Sequence, residues 1–209
     1  LGIAIIGDMV LNHSYNTSPM AMLYWDAANS RPANDNPWYN VTSPNTTYSW
    51  GNDFNHESAD TKRLVDSITA YWMSEFRLDG FRFDFTKGFT NKSGEGSAYD
   101  ASRIAILKRM ASEMWKRNQN AYVIFEHLTD NSEEKELSAF GIMLWGNMNY
   151  KYGEAAKGSN DNGNSDLSWG SYKSRSWTNP TLVTYMESHD EEREMYRCLK
   201  EGLSMGNYN

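Results

Sequence analysis

Short apolar segments alternate with segments of helical periodicity along most of the chain. Five apolar segments rich in β-branched and aromatic residues are too short for helices, and we predict them as buried strands at 2–10, 80–85, 121–126, 141–145 and 182–186. Apolar residues recur at helical spacing between 64 and 76 and between 104 and 115, and shorter helices are predicted at 133–140, 150–157 and 191–201. This alternation indicates right-handed βαβ units and an α/β fold with a parallel sheet, either doubly wound or closed as a (β/α)8 barrel.

Residues 14–58 show neither the strand nor the helix period. The segment is rich in Asn, Ser, Thr and Pro and contains eight aromatic residues: Tyr15, Tyr24, Trp25, Trp38, Tyr39, Tyr48, Trp50 and Phe54. An irregular segment of this length inside a compact domain is usually functional. We therefore predict an excursion from the α/β core, in which Trp25, Trp38 and Trp50 are candidates either for stacking on sugar rings or for the core of the excursion itself.

Composition and charge narrow the range of partners. The 209 residues include 20 basic and 27 acidic side chains, a net charge of −7, which argues against a nucleic-acid partner. No apolar run reaches the roughly 20 residues that a membrane span needs, and the single cysteine, Cys198, excludes an intrachain disulfide. Aromatic residues make up 14% of the chain, which fits either carbohydrate binding or an aromatic core.

Ionisable residues stand at the C-terminal ends of four predicted strands. Asp8 ends the first strand, Arg82 and Asp84 the second, Glu126 the third and His189-Asp190 the last. In a (β/α)8 barrel these strand ends converge on the face that carries the active site. The pattern therefore favours the barrel and a catalytic centre on that face.

Two of these carboxylates suit the two roles in glycosidic bond cleavage, where one attacks the anomeric carbon and the other protonates the leaving oxygen. Arg82 and Asp84 share a strand face because they lie two residues apart, and a guanidinium favours the ionised carboxylate that a nucleophile needs. Glu126 follows the apolar residues 122–125. An apolar setting raises a carboxyl pKa, which suits a proton donor.

Several motifs resemble, in the same order, those of the α-amylase family of glycoside hydrolases. They are Asp8-Met9-Val10-Leu11-Asn12-His13 after barrel strand three, Asp53-Phe54-Asn55 near the end of the following insertion, Gly80-Phe81-Arg82-Phe83-Asp84 with Lys87 after strand four, Glu126 after strand five, and His189-Asp190 after strand seven. The resemblance implies a (β/α)8 TIM barrel that is incomplete in this chain. Strands three to seven would lie in residues 1–13 and 59–209, with an insertion subdomain at 14–58.

The resemblance also implies a role for each matching residue. Asp84 would be the nucleophile, Glu126 the general acid/base, and Asp190 the residue that stabilises the oxocarbenium-like transition state. The remaining matches at the cleavage site would bind the substrate or orient the nucleophile: His13, Arg82, Lys87 and His189.

A structural calcium ion is a further implication of the resemblance. Asn12 and Asp53 match positions that often bind calcium in this family, and oxygen ligands from two separate segments suit this cation. Three positions depart from the family pattern. Gly88 stands where a His often offers its carbonyl to calcium, Ser188 replaces the usual Asn before His189, and His127 follows the acid/base. We predict that such departures tune the outer subsites without removing a catalytic group.

The expected function is retaining, endo-type hydrolysis of α-1,4-glucosidic bonds in starch-like α-glucans through a glycosyl-Asp84 intermediate. The alternatives are a glucanotransferase of the same family and a non-catalytic α-glucan-binding scaffold. A polymeric substrate suggests a secreted, periplasmic or cell-surface protein, although residues 1–6 do not resemble a signal peptide. Because a closed barrel needs eight strands, we expect this chain to be an excerpt with open sheet edges that favour association, and to hydrolyse starch poorly alone.

Overall fold

A five-stranded parallel sheet forms the centre of the structure, a computed structural model that describes residues 2–202. The strands, numbered along the chain, are β1 (Ile6–Met9), β2 (His13–Ser14), β3 (Trp25–Asp26), β4 (Arg31–Pro32), β5 (Asn52–Asp53), β6 (Gly80–Phe83), β7 (Tyr122–Phe125), β8 (Met143–Asn147) and β9 (Leu182–Tyr185). The helices are α1 (Pro19–Leu23), α2 (Ala59–Glu75), α3 (Ala101–Arg117), α4 (Asn131–Phe140), α5 (Asn149–Lys157) and α6 (Glu194–Glu201). The central sheet has the order β1-β6-β7-β8-β9, with every neighbouring pair parallel.

The helices begin and end where the sequence provides capping residues. Ser58 caps α2 by accepting a hydrogen bond from the backbone N–H of Asp60. Asp100 caps α3 through the N–H groups of Ser102 and Arg103. Gly141 ends α4 in the left-handed conformation that glycine adopts without steric cost. Local sequence signals therefore fix the lengths of the helices that cover the sheet.

The main core lies between the central sheet and α3. The helix buries one stripe of apolar residues at helical spacing, namely Ile104, Leu107, Met110, Ala111 and Met114. From the sheet, Phe81, Phe83 and Phe125 are fully buried and belong to the same cluster. Burial of one such side chain stabilises the fold by about 1.5–3 kcal/mol, so this layer holds the strands in the register that positions their ends.

Residues 14–58 contain short elements with a small core of their own. Helix α1 lies in this segment, β3 pairs with β4, and β5 returns to pair antiparallel with β2, which places Asp53 opposite His13. Ala21, Tyr39 and Phe54 form the buried cluster, and Trp25 and Trp38 pack against it. Two of the three tryptophans considered for sugar stacking thus contact the core of this segment.

The α/β class and the parallel direction of the strands in the central sheet are as the sequence predicted. The described sheet is open, with β1 and β9 at its edges, as expected for an incomplete (β/α)8 barrel. The irregular 14–58 segment differs from the prediction in containing α1 and pairs of two-residue strands, which are too short to produce a periodic pattern. The proposed barrel segments extend to residue 1 and to residues 203–209, which lie outside the described range. Among residues 2–202, no helix combines the length and apolar character needed to cross a membrane.

Candidate active site

The C-terminal ends of β1, β6 and β7 bring four ionisable side chains together. Parallel pairing places Asp8 beside Arg82, and Phe83 beside Phe125. Asp84 directly follows Phe83 at the end of β6, and Glu126 directly follows Phe125 at the end of β7. The C-terminal ends of the parallel strands therefore bring together residues that are far apart in sequence. Asp8 and Glu126, for example, are 118 positions apart.

Arg82 links three carboxylates at this edge. Its Nη1 donates to Asp8 Oδ1 and to Asp84 Oδ1, both at 2.8 Å, and its Nη2 donates to Glu126 Oε2 at 2.7 Å. The side chain of Arg82 is only 5% exposed, whereas those of Asp84 and Glu126 are 18% and 13% exposed. A buried guanidinium with three charged partners thus binds both Asp84 and Glu126 while leaving both carboxylates partly exposed.

Glu126 has the electrostatic character of a proton donor. Burial raises its pKa, and the nearby Asp84 carboxylate raises it further, while the Phe85 N–H and the Arg82 charge oppose the shift. The net direction is upward, which keeps the carboxyl protonated to higher pH than an exposed glutamate. This is the property required of a general acid.

The backbone after β6 is shaped to meet Glu126. Phe85 has a φ of 45°, in the left-handed region that non-glycine residues rarely adopt. Its N–H donates to Glu126 Oε2 at 3.2 Å, and the next N–H, that of Thr86, donates to the Glu126 carbonyl at 2.9 Å. The unusual conformation of Phe85 thus occurs where two hydrogen bonds connect the loop after β6 to Glu126 at the end of β7.

Aromatic side chains line the rim beside Asp84. Trp50, which is 43% exposed, lies 4.9 Å from the Phe85 ring and 5.8 Å from the His13 ring, measured between centroids. Lys87 Nζ stands 4.5 Å above the Tyr48 ring, and burial lowers the pKa of this lysine. Residues 14–58 therefore supply aromatic side chains next to Asp84, and Trp50 is the most exposed of the three tryptophans considered for sugar stacking.

The His189-Asp190 turn after β9 stands apart from the other candidates. Both side chains are about 60% exposed, at 60% and 61%, and His189 Nε2 lies 3.5 Å from Asp190 Oδ1. The recorded contacts of the turn involve Glu191, whose carboxylate accepts hydrogen bonds from the Ser188 N–H and hydroxyl and from the Asn147 amide. Arg82 therefore contacts both Asp84 and Glu126 directly, whereas Asp190 makes no such contact with them among residues 2–202.

A buried polar network behind the β6 loop was not found from the sequence. Arg103 Nε and Nη2 donate to the two Glu133 carboxylate oxygens at 2.7 and 2.8 Å, and His127 Nε2 lies 2.8 Å from Glu133 Oε1. His127 is fully buried, and its Nδ1 lies 2.9 Å from the Thr86 hydroxyl. The expectation that His127 tunes an outer subsite is therefore corrected: it supports the loop from behind. The sequence signal for this buried network is the presence of two charged residues, Arg103 and Glu133, among the apolar residues of α3 and α4.

A second buried ion pair ties the polar segment 158–180 to α4. Arg175 Nη1 donates to Glu134 Oε2 at 2.9 Å, with both side chains about 5% exposed or less. The guanidinium carbon lies 5.1 Å from the Trp169 ring and 5.3 Å from the Trp177 ring. Burial outweighs the ion pair and raises the pKa of Glu134 to about 7. This contact explains how a segment without periodicity is held against the core.

The residues predicted to bind calcium include an orphaned oxygen. Asn12 is buried, and its Oδ1 has no hydrogen-bond partner among the described residues. A Cβ added to Gly88 would lie 2.0 Å from that oxygen, so the absence of a side chain at this departure from the family pattern keeps the space open. Asp53 is also buried, and burial raises its pKa to about 6 even though Asn40 and Ser43 donate hydrogen bonds to its carboxylate. An oxygen without a partner and a carboxylate that is costly to ionise fit a hard cation.

Within the described residues, no group of three or more His, Cys, Asp or Glu side chains forms a metal site. A cation at Asn12 and Asp53 would therefore depend on amide and carbonyl oxygens in addition to one carboxylate. Such mixed oxygen sets are used for calcium, and transition metals prefer nitrogen or sulfur ligands.

Solved structures with a similar fold include α-amylases and pullulanases. The chain has a TM-score of 0.63 to an Anoxybacillus α-amylase at 18% identity, with 95% of this chain and 42% of that protein covered. A Bacillus subtilis type I pullulanase, solved with maltose, gives 0.58 at 19% identity over 97% of this chain and 30% of the other. The chain has an α-amylase-type fold. No protein-family model matches it.

A relative detected by sequence agrees with this fold. Isoamylase 1, chloroplastic, of Arabidopsis thaliana is 26% identical over 106 residues, which are 49% of this chain and 13% of the isoamylase. The chain thus spans less than half the length of each of these three proteins. The α-amylase-type fold confirms the resemblance inferred from the motifs. Asp8, Asp84 and Glu126 lie at the C-terminal ends of parallel strands, the end at which (β/α)8 barrels carry active sites.

Proposed function

We propose that this chain carries the catalytic centre of a retaining glycoside hydrolase that cleaves internal α-1,4-glucosidic bonds in starch-like α-glucans. The observation that supports it most directly is the single buried Arg82 that holds Asp84 and Glu126 side by side, with the pKa of Glu126 raised. Similar proteins include an α-amylase and a pullulanase solved with maltose, which favours a glucan over other sugars.

The two carboxylates divide the reaction between them. An Asp84 oxygen attacks the anomeric carbon as the bond to the leaving oxygen breaks, and Glu126 gives its proton to that oxygen. The Glu126 carboxylate then takes a proton from water, whose oxygen attacks the same carbon and releases Asp84. Double displacement retains the anomeric configuration, and it requires carboxyl groups about 5–5.5 Å apart.

The remaining candidates act on charge and orientation. Arg82 orients Asp84 toward the sugar through its hydrogen bond to Asp84 Oδ1. Asp190 and His189 would close on the sugar at the cleavage site from the exposed turn after β9, where Asp190 stabilises positive charge in the transition state. His13 and Lys87 would bind hydroxyl groups along the wall formed by residues 14–58. These assignments rest on the family resemblance together with the geometry at Arg82.

Product analysis tests the proposal against its alternatives. We expect the full-length protein to release oligosaccharides from amylose whose new reducing ends first appear as the α-anomer by proton NMR. Maltose added as an acceptor should leave the rate of reducing-end formation unchanged for a hydrolase and suppress it for a glucanotransferase. Binding of amylose without any product would instead support the non-catalytic scaffold.

Trp50 provides a test of the sugar-binding wall. Replacing Trp50 with Ala is expected to raise KM for maltooligosaccharides about 5- to 30-fold, since loss of a stacking aromatic ring costs about 1–2 kcal/mol of binding. The change in kcat should be smaller. Trp38→Ala is the control because Trp38 packs in the core of the same segment; it should lower stability with KM retained. Equal KM values for Trp50→Ala and the unaltered protein would remove Trp50 from the substrate site.

Calcium is proposed as a structural ion held by Asn12 Oδ1, the Asp53 carboxylate and the Gly88 carbonyl. The ion would fasten residues 14–58 to the loop after β6 and would take no part in bond cleavage. We expect calcium at 100 times its Kd to raise the free energy of unfolding by about 2.7 kcal/mol, and EDTA to reverse the effect. Asp53→Asn should abolish the response in a thermal melt. An unaltered protein whose Tm is the same in EDTA and in calcium would contradict the site.

The location proposed for the protein follows from its substrate. Polymeric glucan is too large to enter cells readily, so we propose a secreted, periplasmic or cell-surface protein. Fractionation of the producing cells would test this, and recovery of the protein in the cytosol alone would contradict it.

A further inference from the structure

We propose that Trp145 is a positioning residue for the reaction, because its ring fixes the plane of the Arg82 guanidinium that serves both Asp84 and Glu126. The inference rests on the proposed function. It concerns a residue on β8 that none of the sequence motifs includes. The centre of the Trp145 ring lies 4.1 Å from Arg82 Cζ.

The hydrogen bonds of Arg82 leave its orientation incompletely determined. Its Nη1 and Nη2 carry all three carboxylate bonds, whereas the buried Nε has no hydrogen-bond partner among the described residues. A guanidinium recognises carboxylates within its own plane. A tilt of that plane would weaken the bonds to Asp84 and Glu126 together, and no acceptor at Nε resists it.

The register of the sheet puts Trp145 where it can supply this restraint. Phe125 on β7 pairs with Leu144 on β8, so Trp145 is the neighbour in register of Glu126. The Trp145 ring is in turn packed against Tyr185 of β9, with ring centroids 4.8 Å apart. The indole therefore contacts Tyr185 as well as Arg82, whose Cζ lies over the ring, and an aromatic ring attracts a cation in that position.

The charged groups around Glu126 come from several elements. Asp84 and Lys87 lie on the loop after β6, Arg82 is on β6 itself, and Tyr185 is on β9. Among these, Arg82 is the direct cationic partner of Glu126, at 2.7 Å. A loosened Arg82 should therefore stabilise the Glu126 carboxylate less, and protonation of Glu126 should persist to higher pH.

The experiment compares Trp145→Leu with Trp145→Phe in the full-length protein. The Leu variant is expected to lower kcat on amylose about 10- to 100-fold, with KM changed much less, and to move the alkaline limb of the kcat profile upward by about half a pH unit or more. The Phe variant keeps an aromatic face and should restore most of kcat and the original limb. Trp115→Leu, which removes a half-buried indole packed on Phe140 of α4, is the matched control and should change neither.

A second readout does not depend on turnover. The Glu126 carboxyl can be titrated by carbon NMR in the unaltered protein and in Trp145→Leu, with folding checked by circular dichroism. We expect the pKa of Glu126 to rise in the variant whether or not the protein hydrolyses glucan, which separates this inference from the proposed function. The inference is wrong if Trp145→Leu is folded and both its Glu126 titration and its kcat profile match those of the unaltered protein, or if Trp145→Phe is as impaired as Trp145→Leu.

Discussion

Replacing Asp84 with Asn should lower the rate of α-glucan hydrolysis by about 10⁴-fold or more, because removal of one member of a catalytic unit eliminates most of its effect. The amide cannot attack the anomeric carbon, so no glycosyl-enzyme forms. The side chain keeps its size and one oxygen for the bond to Arg82 Nη1. The loss should therefore appear in kcat, measured on amylose in the full-length protein, while the fold and substrate binding persist.

Glu126→Gln tests the second catalytic role through the pH dependence of the activity. Loss of the proton donor is expected to lower kcat about 10²- to 10⁴-fold. In the unaltered protein, activity should fall as pH rises through the raised pKa of Glu126, since the acid is then deprotonated. In Glu126→Gln this alkaline limb should disappear from the residual activity. The double variant with Asp84→Asn should be scarcely slower than Asp84→Asn alone.

Asp66→Asn is the matched control for both substitutions. Asp66 is a partly exposed carboxylate of α2 that pairs with Arg109 of α3 and is not one of the candidate site residues. Its conversion to an amide should leave the rate unchanged. If Asp84→Asn and Glu126→Gln each retained hydrolysis within tenfold of the unaltered protein, the mechanism assigned to these residues would be wrong.

The central sheet and the candidate site at the C-terminal ends of its strands could be predicted because their signals are local and strong. Apolar segments of five to nine residues marked the strands, and polar residues at or immediately after their ends marked where the parallel strands end. The i, i+2 relation of Arg82 and Asp84 gave their contact directly. That Glu126 binds the same arginine required only the parallel order of β6 and β7, which the βαβ pattern already implied.

Other features of the site depend on contacts between side chains that the hydrophobic pattern of the sequence does not predict. Asp8 was recognised as part of a motif, but its bond to Arg82 follows from the exact register of β1 against β6. Trp145 lies on a predicted strand, yet its position against Arg82 depends on how side chains cross the sheet. The turn with His189 and Asp190 shows the opposite case, in which a matched motif stands exposed while Glu191, assigned no function from sequence, makes the contacts.

The buried cluster at Arg103 carries the largest stability effect that we expect. Besides its bonds to Glu133, the guanidinium donates to the carbonyl oxygens of Lys87 and Gly96, both at 2.7 Å, and of Ala98 at 3.0 Å. Arg103 is 1% exposed and Glu133 is fully buried. One charged residue of α3 therefore holds α4 and the loop after β6 at the same time, including the residue next to Gly88.

Replacing Arg103 with Met should lower the free energy of unfolding by about 3–5 kcal/mol, because it leaves the Glu133 charge buried without its cation. Burial alone would raise the pKa of Glu133, but hydrogen bonds from His127 and Arg103 outweigh it and lower that pKa. Without Arg103, Glu133 should protonate more readily, so the stability loss should be greatest at neutral pH and smaller in acid. Urea unfolding at several pH values measures both effects.

Two further variants separate the charge from the packing. Arg109→Met removes the partly exposed cation that pairs with Asp66 at 2.8 Å, and should cost less than about 1 kcal/mol. Arg103→Met combined with Glu133→Leu removes both buried charges, and should recover much of the loss because a buried pair replaced by apolar residues is often neutral. If Arg103→Met cost no more than Arg109→Met, the cluster would not hold the β6 loop. If the double variant were no more stable than Arg103→Met alone, the loss would lie in the three carbonyl bonds and not in the unpaired charge.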